Sequence, residues 1–198
     1  MLRSTVGPTG AVSMRVIRAP KIDVLWKMRN FINVWRGAWR FAIADFLGIA
    51  TLKGRLYLKI NKADGSTLDY GLVSTRVVTT AFVNEMVDQL VAEDATWGDF
   101  RWHDSGIGTT GAAVGDTDIE TTDGQSRAED AVAEESAANI YKTIATISYD
   151  GGYAITEHGV FNAEASGELM DRHVFSAVNV VDGDSIEFTY ELTVSAGG

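Results

Sequence analysis

The sequence predicts a mainly β protein: an antiparallel β-sandwich or sheet with one covering helix, plus an N-terminal arm and an amphipathic helical segment. Three observations carry that prediction. Apolar and polar residues alternate with period two in several runs after residue 51, as strands with one wet face do. A helical ridge follows Thr80, enough to cover a sheet. A longer helical stripe precedes the first of those strands, in a region whose charge is opposite to that of the rest. The chain therefore divides into a basic, aromatic-rich attachment segment, 1–50, and a β-rich domain, 51–198.

Residues 1–21 read as an arm. Ser4, Gly7, Pro8, Gly10 and Ser13 offer little to pack, and Pro20 discourages an earlier helix start. Over 22–47, Leu25, Met28, Ile32, Trp35, Trp39, Ala42 and Phe46 recur at alternating steps of three and four, which places them on one stripe of a helix. Phe31, Val34, Ala38 and Phe41 widen the stripe, while Gly37 weakens a continuous helix. Arg29, Arg36 and Arg40 line a neighbouring stripe. Such a face needs cover, in its own core or on another subunit. The expected partner-binding residues are Trp26, Trp35 and Trp39 as aromatic anchors, with Arg29, Arg36 and Arg40 as rim charges.

From Thr51, Leu52, Leu56, Leu58 and Ile60 alternate with Lys53, Arg55, Tyr57 and Lys59, and the polar turn Asn61 to Gly65 leads into a second strand from Thr67. Phe82, Met86 and Leu90, beside Val83, Val87 and Val91, form the covering-helix ridge. Residues 95–139 read as a long loop. It holds a short strand near Phe100 and Trp102, then a run from Asp104 to Gly111 with too many small residues for a core element, then acidic stretches. Its length hints at an interface role. Beyond residue 140 everything reads as strand. Ile140 to Ser148 turns back at Asp150-Gly151-Gly152 to pair with Tyr153 to Ala163, and Leu169 to Val180 meets Ser185 to Val194 through an Asp182-Gly183 turn.

Charge divides the chain more sharply than its total suggests. The 198 residues carry a net −10, yet residues 1–60 hold 11 Lys/Arg against only Asp23 and Asp45, and the remainder holds 6 against 25 acids. Neighbouring copies should therefore attract, front to body, at modest salt. The overall acidity argues against a nucleic-acid coat, and no specific nucleic-acid partner is expected. Thr5, Gly7, Pro8 and Gly10 follow the first basic residue in place of an unbroken apolar run, so no secretory leader is expected. Lys27, Arg29, Arg36, Arg40 and Asp45 interrupt the most apolar early stretch, so no membrane span is expected. With no cysteine, disulfides, thiolate nucleophiles and Cys-ligated metals are excluded.

Chemistry is sparse. His103, His158 and His173 form no compact ligand motif, although Glu157 and His173 could converge across strands. The glycine-rich run Gly106 to Gly111 lacks the lysine of a phosphate-binding loop and is followed by acids that repel phosphate. Asp116 with Asp118, and Asp182 with Asp184, offer oxygens for incidental calcium without the acid that closes a helix–loop–helix calcium site. No Gly-x-Ser-x-Gly elbow is present. A non-enzymatic chain without cofactor, metal or catalytic residues is expected.

Two segments carry a resemblance. Trp102-His103-Asp104-Ser105-Gly106-Ile107-Gly108-Thr109-Thr110-Gly111, continuing through Asp116-Thr117-Asp118-Ile119-Glu120, resembles a recurrent Gly-x-Gly-Thr-Thr loop and Asp-Thr-x-Leu-Glu segment of small virion proteins from tailed bacteriophages. Ile155-Thr156-Glu157-His158-Gly159-Val160-Phe161 resembles their Ile-Thr-Glu-x-Gly-Leu-Phe strand, a pattern related to one in tail-collar fibre proteins. The segments from Gly167 to Ala177 and Gly183 to Tyr190 fit as well, so the likeness covers roughly residues 100–195. It implies a capsid decoration or cement subunit, found in the virion after assembly in the host cytoplasm. Its implied partners are the major capsid protein or other virion subunits, with homo-oligomerisation. The alternative is a tail, neck or collar component, with host-surface or saccharide binding. The resemblance implies no catalytic residue, and residues 1–50 have no counterpart in it.

Overall fold

In the computed structural model, the described residues are 2–6, 12–16, 21–47, 49–90, 100–129, 134–137 and 139–195. The chain combines antiparallel β-sheets with two α-helices. Strands β1 (Leu2–Val6) and β2 (Val12–Val16) pair with each other, so part of the expected arm is a two-stranded ladder. Helix α1 (Val24–Phe46) follows, then β3 (Thr51–Asn61), β4 (Thr67–Val77) and α2 (Thr80–Leu90). The remaining strands are β5 (Trp102–Gly106), β6 (Ala128–Glu129), β7 (Glu134–Ala137), β8 (Ile140–Ser148), β9 (Tyr153–Phe161), β10 (Leu169–Val180) and β11 (Ser185–Ser195). The arm residues 7–11 and 17–20, the ridge residue Val91 and positions 130–133 of the acidic run lie outside the described residues.

One sheet has the order β4-β3-β11-β8-β7 and the other β10-β9-β5-β6. The main core cluster draws on both: Leu56, Leu58, Ile60, Ile186 and Phe188 from the first, and Ile155, Phe175, Val178 and Val180 from the second. The expected alternation holds in β3 and β11, where Leu56, Leu58 and Ile60, and Ile186, Phe188 and Tyr190, are buried between partly exposed polar neighbours. A second cluster gathers Val78, Phe82, Phe100, Val160, Met170, Tyr190 and Leu192. Helix α2 contributes Phe82, edge-on to Phe100 at 5.1 Å, and Met86, whereas Val83, Val87 and Leu90 stay exposed.

Two expected hairpins are corrected. β9 pairs with β10 and β5 rather than with β8, and β11 pairs with β3 and β8 rather than with β10. The Asp150-Gly151-Gly152 and Asp182-Gly183 turns therefore carry the chain from one sheet to the other. They lie side by side, with Tyr149 N donating to the Asp184 carbonyl and Gly183 N to the Tyr149 carbonyl, both at 2.9 Å. The Asp184 carboxylate fastens this corner, accepting from Ala63 N, Val181 N and Lys62 Nζ, the last at 2.6 Å. Burial pushes its pKa up, but these donors outweigh that effect and hold it below the usual aspartate value.

Strand β5 is a further correction. His103, Asp104, Ser105 and Gly106 form a buried strand paired with β9, not a loop. The small residues there serve close approach. A Cβ on Gly106 would meet the Thr121 carbonyl and the Glu157 carboxylate, and one on Gly108 would meet Glu157 and Glu120.

Candidate functional site

Helix α1 starts at Asp23, whose Oδ1 accepts from Leu25 N at 3.1 Å as an N-cap. It packs on β4, β3 and β10 through a narrow face spaced three to four residues apart. Trp26 Nε1 donates to the Ser176 and Ala177 carbonyls, both at 3.0 Å, and its ring meets Tyr70 edge-on at 4.5 Å. Asn30 Nδ2 donates to the Val73 carbonyl at 2.8 Å, and its Oδ1 accepts from Ser176 N. Gly37 is buried so close to β4 that a Cβ would strike the Thr75 carbonyl. Phe41 is buried beneath the Lys53 ammonium. The glycine expected to weaken the helix is thus where the helix comes nearest to the sheet.

That docking leaves the predicted apolar stripe facing solvent. Met28 is 65% exposed, Trp35 54%, Trp39 58% and Phe46 89%. Trp35 and Trp39 stack on each other with centroids 6.0 Å apart. Arg29 is exposed as well. Of the six residues expected to bind a partner, Trp35, Trp39 and Arg29 lie on the open helix, Trp26 is engaged within its own chain, and Arg36 and Arg40 line a cleft.

The cleft, about 850 Å³, opens between α1, β4, β10 and loop 109–114. Arg36 and Arg40 come from α1, Arg76 from β4, and Asp171 and Arg172 from β10. Among the described residues, Arg76 Nε is buried without a hydrogen-bond partner, as is Asp171 Oδ1. Burial lowers the Arg76 pKa, the Asp171 charge opposes this, and Arg40 and Arg36 add to the lowering. Asp171 Oδ2 accepts from the Tyr190 hydroxyl at 3.1 Å and lies 3.2 Å from His173 Nε2. Sequence reasoning passed over Arg76, Asp171 and Arg172. The one signal was a charged pair, Asp171-Arg172, inside the otherwise apolar opening of β10.

Beside the cleft, the glycine-rich loop cradles an anion of its own chain. Glu157, fully buried, accepts from Gly108 N and Thr121 N at 2.8 Å and from Glu120 N at 2.9 Å. Arg172 completes the arrangement, with Nε 2.8 Å from Glu157 and further pairs to Asp116 at 3.0 Å and Glu120 at 3.3 Å. Burial alone would lower the Arg172 pKa, but Asp116 and Glu157 reverse the direction and raise it. A second, half-buried arginine, Arg127, lies over the Phe161 ring and donates to Asp104 and to the Ala163 and Ser166 carbonyls. The two arginines bind loop 107–127 onto its own sheet.

Glu157 therefore meets Arg172 rather than His173. All three histidines are buried, with His103 Nδ1 2.9 Å from His158 Nε2 and His103 Nε2 3.1 Å from the Thr143 hydroxyl. The Asp pairs considered for calcium are engaged otherwise, Asp116 by Arg172 and Asp184 by Lys62. Among the described residues no group of three or more acidic or histidine side chains is placed to hold a metal ion, and no helix is long and apolar enough to cross a membrane. No protein-family model matches the chain, and no curated protein matches its sequence.

Proposed function

We propose that the chain is a non-enzymatic structural subunit of a tailed-phage particle, decorating or cementing the capsid shell through the outer face of α1. The observation that carries this reading is the exposed aromatic and aliphatic face of a helix otherwise fixed to its own sheets. An apolar surface of that extent on a polar-rimmed helix marks a contact with another chain. The helix is about 35 Å long, enough to supply one side of a standard interface of roughly 1,600 Å². The basic front selects an acidic, partly apolar surface on the major capsid protein or another virion subunit. The two larger sheets are the support: a β-sandwich whose sheets face each other across the common core, with α2 covering its second cluster. The resemblance of residues 100–195 supplies the virion setting.

Two exposed substitutions, Trp35→Ser and Trp39→Ser, should reduce binding to purified shells by at least tenfold while the circular dichroism spectrum and melting temperature are kept. Unchanged attachment by that double variant sinks the assignment. Images of decorated particles separate the settings: copies spread over the shell support decoration, and copies confined to the tail vertex overturn it in favour of a tail or collar role.

A further inference from the structure

The cleft behind α1 has a chemistry of its own, independent of the helix's outer face. Four guanidinium groups line it, and only Arg172 has its carboxylate partners among the described residues. Among the described residues that line the cleft with Arg36, Arg40 and Arg76, the one carboxylate is Asp171, which opposes the charge of Arg76 and is hydrogen-bonded to Tyr190. Guanidinium groups bind carboxylate and phosphate oxygens in paired hydrogen bonds, and a cluster of like charges is relieved when such an anion enters. The lining also offers the opposite chemistry: Asp171 Oδ1, unpartnered among the described residues, accepts a hydrogen bond, and residues Thr75 and Thr109 line the same space. An anion alone leaves that acceptor unused and faces its charge. A ligand that joins an oxyanion to hydroxyl groups satisfies both sides.

We propose that this cleft binds a hydroxylated oxyanion, either a sugar acid or a sugar phosphate, with Arg36, Arg40 and Arg76 holding the anionic end and Asp171 accepting from a hydroxyl. The volume of about 850 Å³ accommodates one or two sugar rings. The Trp35–Trp39 face plays no part.

Calorimetric titration of the full chain at low ionic strength tests this with glucuronate and glucose 6-phosphate, against glucose, acetate and inorganic phosphate. At least one charged sugar should bind ten times more tightly than glucose, and at least five times more tightly than acetate or phosphate bearing the same charged group. Which of the two wins identifies the anion. The paired substitutions Arg36→Gln and Arg40→Gln should weaken that binding at least tenfold, while Arg29→Gln, outside the cleft, changes it less than twofold. A rise in melting temperature of the unaltered chain with the same sugar provides a readout that needs no variant. The inference is overturned if neither charged sugar binds or raises the melting temperature, if acetate or phosphate binds as well, or if Arg29→Gln costs as much as the cleft pair. Trp35→Ser with Trp39→Ser should leave sugar binding intact, so loss of particle attachment and loss of this site are separately visible.

Discussion

Glu157 and Arg172 show how much of this molecule hangs on single buried charges. A buried carboxylate is stable only when its lone pairs are filled, and here three backbone N–H groups and one guanidinium fill them. Arg172→Met keeps the stem of the side chain but strips the counter-charge from a fully buried acid. Urea unfolding should show a loss of about 3–5 kcal/mol, and loop 107–121 should become the first site of proteolysis because its tie through Asp116 and Glu120 is gone. His158 gives a different dependence. Burial, with His103 and His173 adding to it, holds its pKa well below 6.5. Above pH 6.5 both the folded and unfolded forms carry it neutral. Below that value the unfolded chain takes up a proton that the folded chain refuses, so stability falls with acid by up to about 1.4 kcal/mol per pH unit. Urea midpoints at pH 7.5, 6.5 and 5.5 should fall more steeply for the parent chain than for His158→Gln, and parallel curves would contradict this account.

At the scale of elements, α1 is held by hydrogen bonds and close approach at Asn30 and Gly37 together with the apolar contacts of Trp26 and Phe41. Gly37 touches the β4 backbone, so Gly37→Leu must push the helix outward and disturb the contacts of Asn30 and Phe41 along with it. Hydrogen exchange should then show α1 amides opening at least tenfold more often, while β3 and β11 remain protected. This docking also explains what the sequence could reveal. The three-and-four spacing of Leu25, Met28, Ile32 and Trp35 located the helix, and alternation located β3, β8 and β11. The inward face of α1 stayed hidden because a polar Asn30 and a Gly37 stand between Trp26 and Phe41 on it, which breaks up its hydrophobic period. The β3–β4 hairpin was legible from its polar turn, but the partners of β9, β10 and β11 stayed hidden for another reason. Alternation tells which face of β9 or β10 is wet, not which strand lies beside it, and β9 is buried on both faces along most of its length. The cleft was least legible, because Arg36, Arg40, Arg76 and Arg172 come together only when three elements have packed.

For the whole molecule, the attachment model joins two forces that salt separates. The charge split, 11 cationic side chains in residues 1–60 facing an acidic remainder, acts through solvent and fades once the Debye length drops below about 5 Å near 0.5 M salt. The exposed stripe of Met28, Ile32, Trp35 and Trp39 acts by removing apolar surface from water, which added salt does not weaken. If the outer face of α1 is the contact surface, copies of the isolated chain should associate through both. Sedimentation velocity should then show assemblies at 20 mM salt that shrink at 0.5 M without vanishing. Trp35→Ser with Trp39→Ser should associate at low salt and become monomeric at 0.5 M. Reversing Lys27 and Arg29, both exposed on α1, to Glu should do the opposite, losing the salt-sensitive part and keeping the part that persists at 0.5 M. Identical salt profiles for the two variants would mean that charge and apolar surface do not act at one face, and attachment through α1 would lose its physical basis.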